Sequence, residues 1–166
     1  DSGSGTTLYD PNYGHLIYLI TAVTCRYVRI AIAESGVEYI EAGRLFVGVR
    51  TQVGINFQPG WSRLWVDQTR KTFGRGGQMF PDIEVSYRVV EVTFEFLTEA
   101  EKNGFVETID RDFGEHDDFL LITNPDSTNL GRDCIWGFID GNQPVIEPIV
   151  SVPPRFSKSY RVRERL

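Results

Sequence analysis

Hydrophobic and polar positions alternate with a period of two in several short stretches, and with a helical period in only one. Leu16-Ile17-Tyr18-Leu19-Ile20 reads as a buried strand. Over 26–32, Val28, Ile30 and Ile32 share one face, and Tyr27, Arg29 and Ala31 the other; Glu34-Ser35-Gly36 then turns into a strand over about 39–47. The clearest strand is 85–96, where Val90, Val92, Phe94 and Phe96 alternate with Glu91, Thr93 and Glu95. The adjacent pair Val89-Val90 breaks that rhythm and predicts a bulge or a change of neighbour.

A helix over about 98–113 follows directly. Thr98 and Glu101 have the spacing of a capping box, in which hydroxyl and carboxylate each satisfy a free backbone N–H. Phe105, Val106, Ile109 and Phe113 form one stripe, Gly114 supplies a C-terminal stop, and Asn103-Gly104 weakens the second turn. Short strands are expected again at 119–123, 134–139, 145–152 (broken by Pro148) and 160–166. The order is strands, one helix, strands, with no βαβ alternation. The expected fold is therefore mainly β: an antiparallel β-sandwich or split barrel with one α-helix.

Residues 49–82 lack a clear period. Gly54, Pro59-Gly60, Gly74, Gly76-Gly77 and Pro81 cut the stretch into pieces carrying Phe57, Trp61, Trp65 and Phe73. Long irregular stretches inside compact domains are usually functional, so this one is read as a projecting loop or hairpin. The 166 residues suit one domain, 1–166. The opening Asp1-Ser2-Gly3-Ser4-Gly5, without a methionine, reads as the start of a shortened or processed piece.

Composition narrows the function. A net charge of −6 and a pI near 4.9 argue against general nucleic-acid binding, which needs surplus Lys and Arg. Five apolar residues at 16–20 fall far short of the roughly 20 that span a bilayer. No membrane insertion and no secretory leader are expected. Cys25 and Cys134 sit far apart in apolar runs and read as buried thiols.

Candidate chemistry is sparse. His116 stands in the acidic run Glu115-His116-Asp117-Asp118, which reads better as a solvated loop than as a proton relay or metal site. In Asp110-Arg111-Asp112-Phe113-Gly114 the glycine is one position early for a calcium loop, and Phe113 belongs to the apolar stripe. Gly74-Arg75-Gly76-Gly77 lacks the Lys-Ser/Thr of a phosphate cradle. The expectation is a non-enzymatic chain with no catalytic, cofactor or metal residues.

Charge placement says more. Glu107, Asp110, Asp112, Glu115, Asp117 and Asp118 surround one Arg111, while Arg155, Lys158, Arg161, Arg163 and Arg165 surround one Glu164. Opposite patches on one chain suit a head-to-tail ring contact, although two ordinary solvated faces have the same signature. Trp61, Trp65, Arg161, Arg163, Arg165, Asp110, Asp112, Asp117 and Asp118 are the candidate interface residues.

Two stretches carry a family resemblance. Arg26-Tyr27-Val28-Arg29-Ile30 with 39–48 (YIEAGRLFVG), and Tyr87-Arg88-Val89 leading through 94–101 (FEFLTEAE) to Phe119-Leu120-Leu121-Ile122, Asn124-Pro125-Asp126 and Ile135-Trp136-Gly137, resemble tail-tip (distal tail or baseplate) proteins of long-tailed bacteriophages. That resemblance implies a virion protein, made in the host cytoplasm, that forms rings and binds other tail proteins. The 26–32 and 39–48 stretches are also similar to galactose-binding-like jelly rolls. This second resemblance implies a carbohydrate-binding module for a host glycan, with Trp61, Trp65 and Tyr87 as stacking residues.

Overall fold

The computed structural model describes residues 17, 24, 26–31, 43, 45–141, 143–147 and 152–165. The strands expected at 16–20 and 39–47 and the 34–36 turn fall largely or wholly outside those residues. Residues 26–31 lie in no strand and are exposed, so alternation there does not produce a ladder.

Among the described residues the chain is mainly β, with two antiparallel sheets and one helix. The strands are β1 (Ser62–Val66), β2 (Arg70–Phe73), β3 (Met79–Asp82), β4 (Tyr87–Leu97), β5 (Phe119–Ile122), β6 (Cys134–Ile139) and β7 (Phe156–Glu164). Five form a sheet in the order β1-β4-β7-β6-β5 that does not close into a barrel; β2 and β3 form a separate two-stranded hairpin. The helix, α1 (99–113), connects β4 to β5.

β4 and β7 are central because they carry the longest alternating runs. Their register sets Val90 opposite Val162 and Val92 opposite Tyr160, all on the face that α1 covers. Val53, Phe94, Leu97, Val106, Ile135, Ile139 and Phe156 complete this core. The aromatic members meet edge to face: Phe94 lies 5.5 Å from Phe105, 5.9 Å from Phe57 and 6.3 Å from Tyr160. On the opposite face, Thr93 and Ser159 hydroxyls pair at 2.9 Å and Arg161 reaches Glu91.

The bulge lies elsewhere than Val89-Val90. Those two residues pair regularly with Arg163 and Val162, and the break falls between Phe94 and Leu97, where Phe96 has a φ of 61°. Arg88, Val89 and Val90 are buried in succession: Val90 belongs to the core, and Arg88 on the same face is covered by Glu164 and the 127–133 loop.

The capping box is present: Thr98 Oγ1 accepts from Glu101 N–H, and Glu101 Oε2 accepts from Thr98 N–H. Glu101 Oε1 also accepts from the Gly54 N–H at 2.6 Å, tying the 54 segment to the helix start. Only Glu99–Glu101 and residues 107–108 are α-helical, however. Lys102–Val106 and Ile109–Phe113 have the wider π geometry. Through these turns residues 105, 106, 109, 110 and 113 stay on the less exposed side of the helix. Gly104 in the first π turn offers little resistance to that distortion.

Candidate functional site

The candidate residues separate into groups held inside the molecule and groups left at its surface. Asp110 belongs inside. Its Oδ2 accepts from Lys158 Nζ at 2.6 Å, and Lys158, though charged, is 2% exposed in the middle of β7. The Gln143 carbonyl also accepts from Nζ, which lies 5.0 Å from the Tyr160 ring. Burial and the neighbouring Asp110 carboxylate push the Tyr160 phenol up from its ordinary pKa. This pair fastens α1 to the sheet and is spent within the chain.

A second buried ion pair was not legible from the sequence. Arg88 is 1% exposed; its backbone N–H and Nε donate to the two Glu164 carboxylate oxygens at 2.9 Å, and Nη2 also donates to Glu164. Nη1 donates to the Arg132 carbonyl at 3.0 Å. The adjacent Asp133 is held by Arg132, Ser127 and Arg63, and its carboxyl is lowered by the Arg132 hydrogen bond. Together these contacts bind the 127–133 loop over the sheet.

The basic strip of β7 is likewise engaged. Arg161 and Arg163 share the face opposite Tyr160 and Val162, as alternation requires. Arg161 lies 3.6 Å from Glu91 and 3.5 Å from Asp140; Arg163 covers the Tyr87 ring at 4.1 Å; Arg165 pairs with Asp118. Asp112 pairs with Arg111 at 2.7 Å, which lowers its carboxyl. Asp117 is mostly exposed, 3.8 Å from the His116 imidazole.

The two tryptophans part company. Trp61 is half-buried, 5.8 Å from Phe57, with the Arg63 guanidinium 5.6 Å from its ring. Trp65 is 53% exposed on β1, and Arg88 opposite it comes within 5.8 Å of its ring. Tyr87 lies opposite Val66, so it projects from the other face of the sheet. Trp61, Trp65 and Tyr87 therefore do not form a common stacking platform.

The surface contains two further features. The first is an apolar arm within the 49–82 stretch that the sequence reads as a projecting loop or hairpin. All eight residues of β2 and β3 are exposed, and Phe73 pairs with Met79 on the face that also carries Lys71 and Pro81. Phe80 is on the other face, and Leu64, Trp65, Ile83 and Val85 extend the apolar surface at the base. The turn closes when Gly74 N–H donates to the Gln78 carbonyl and Gly77 N–H to the Gly74 carbonyl.

The second is a shallow cleft of about 260 Å³ at the far end of α1, lined by Phe46, Phe113, Trp136, Asp117, Asp118 and Arg165. Phe46 and Trp136 meet at 63°, with ring centroids 6.4 Å apart. It thus joins one candidate acid–base pair, Asp118 and Arg165, to aromatics from three separate segments. A hydrophobic period would have flagged Phe113, but not its neighbours.

Elsewhere, burial pushes the Cys134 thiol up to about 12, far from a thiolate at neutral pH. Among the described residues, no group of three or more His, Cys, Asp or Glu could hold a metal ion. No described helix is long and apolar enough to cross a membrane. No protein-family model and no curated protein matches the sequence.

Proposed function

We propose that this chain is a non-catalytic structural subunit of a bacteriophage tail tip, which self-associates and docks on other tail proteins. The observation that carries the assembly reading is the exposed apolar arm. Leu64, Trp65, Phe73, Met79, Phe80, Ile83 and Val85 are each at least half exposed within 22 consecutive residues, 64–85. Phe73 and Met79 share one face of the hairpin, and so many large exposed apolar side chains in a short segment mark a contact site better than single scattered ones would. The phage assignment rests on the resemblance of the 26–30, 39–48 and 87–137 motifs.

Light scattering after size exclusion, with negative-stain electron microscopy, tests the assembly. Rings or higher oligomers are expected at micromolar concentration, and Phe73→Ser with Phe80→Ser should shift them toward monomer. A wild-type chain that stays monomeric and captures no co-expressed tail protein would overturn the proposal. A glycan-array signal lost with Trp65→Ala would favour host-surface recognition instead.

A further inference from the structure

We propose that the cleft at the end of α1 receives the β2–β3 hairpin of a second copy of this chain. The inference rests on the assembly reading and names both halves of the contact. The two surfaces match in shape class and in charge. The cleft offers the aromatic rings of Phe46, Phe113 and Trp136. At about 260 Å³ it lies below the roughly 300–1,000 Å³ of small-molecule sites, and it has room for a single aromatic side chain. The hairpin supplies that side chain as Phe73, beside Met79 on one face.

Charge fixes the orientation. The hairpin carries Arg70, Lys71 and Arg75 against Asp82, and Arg70 is turned toward Glu84 at 3.4 Å. Lys71 and Arg75 are exposed beside Phe73, one in the strand and one in the turn. The cleft carries acids at its mouth: Asp117 and Asp118 line it, and exposed Glu115 lies two residues before Asp117. Asp118 pairs with Arg165, which leaves Asp117 and Glu115 as the acids nearest the opening. A basic aromatic finger and an acidic aromatic cleft on one chain are complementary between copies. Such a contact closes as a two-fold dimer where both copies reciprocate it, and otherwise propagates into a ring or a filament. The hairpin also lies on β2–β3, apart from the five-stranded sheet that carries Trp136, so one copy can present both surfaces at once.

The test uses charge reversal and mixing. Lys71→Glu with Arg75→Glu reverses the finger; Glu115→Lys with Asp117→Lys reverses the rim. All four positions are exposed, and matching thermal melts establish that each variant folds. Each double variant by itself should assemble at least tenfold more weakly than wild type, because like charges then face each other. An equimolar mixture should recover assembly, since the reversed finger meets the reversed rim and the native finger meets the native rim. Wild-type oligomers that persist in both variants would leave the cleft to another tail protein or a glycan and overturn this inference, while the assembly reading stands. Loss in both variants without rescue on mixing would overturn it equally. A wild-type chain that never oligomerises defeats the assembly reading itself.

Discussion

Gly137, in the middle of β6, is the position where a single methyl group should do most harm. A Cβ built there would lie 2.0 Å from the Arg163 carbonyl oxygen and 2.7 Å from its carbon, whereas real Cβ contacts essentially never fall under 3.0 Å. The obstacle is backbone, so no side chain can swing aside. β6 and β7 must then separate by about an ångström. That stretches Arg165 N–H to the Trp136 carbonyl, now 2.9 Å, and Asp140 N–H to the Arg161 carbonyl, now 2.8 Å, past useful geometry. Two backbone hydrogen bonds at about 1 kcal/mol each, with about 1–3 kcal/mol for overpacking, exceed the roughly 0.5–1 kcal/mol that replacing a strand glycine normally gains. Gly137→Ala should therefore destabilise by about 3 kcal/mol, lowering Tm by about 6–12 °C for a chain of this size. Urea unfolding followed by tryptophan fluorescence reads this out, with Trp136 adjacent to the change. A variant within about 0.5 kcal/mol of wild type, or one that is more stable, would refute the close approach of the two strands.

Two further predictions concern charge. Asp110→Ala removes the carboxylate partner of buried Lys158 and should cost about 3–5 kcal/mol, whereas Asp110→Leu with Lys158→Met should recover most of that loss; urea titrations of the single and double variants decide between the outcomes. Glu101 and Asp133 have folded-state pKa values below their ordinary ones, chiefly through the Thr98 N–H and Arg132 respectively. Their stabilisation is present above about pH 4, where the unfolded carboxyls ionise, and is lost as pH falls through the lower folded values. Glu101→Gln with Asp133→Asn should thus flatten the acid side of a Tm-against-pH curve, and an unchanged slope below pH 4 would contradict these contacts.

Local signals were legible in the sequence and long-range ones were not. Cys134–Ile139 and Phe119–Ile122 are apolar runs bounded by turn residues, and they form strands where expected. The Thr98–Glu101 box needs only three residues of context and closes as read. β7 begins at Phe156 rather than Tyr160: a lysine at 158 interrupts the apolar alternation in sequence, yet it occupies a core position between Phe156 and Tyr160. The burial of Arg88 beside Glu164 is equally hidden from local pattern: each charge is compensated by a partner 76 positions away. The candidate interface acids divide for that reason too, since nothing near Asp110 or Asp118 announces Lys158 or Arg165. Neither could periodicity place Phe46 beside Trp136, a meeting produced by tertiary structure alone.

The strand order has a consequence for how the molecule comes into being. β7 is central, yet it is the last of the described strands in sequence, wedged between β4 and β6. Until it is synthesised, β1 and β4 have no bridge to β5 and β6, and the hydrophobic side chains of both halves stay wet. Nascent polypeptide must wait with its sticky surfaces uncovered, a situation in which chaperones earn their keep. A stop codon ahead of Phe156 would leave β1–β4 and β5–β6 unbridged within one shortened chain instead of a smaller working subunit.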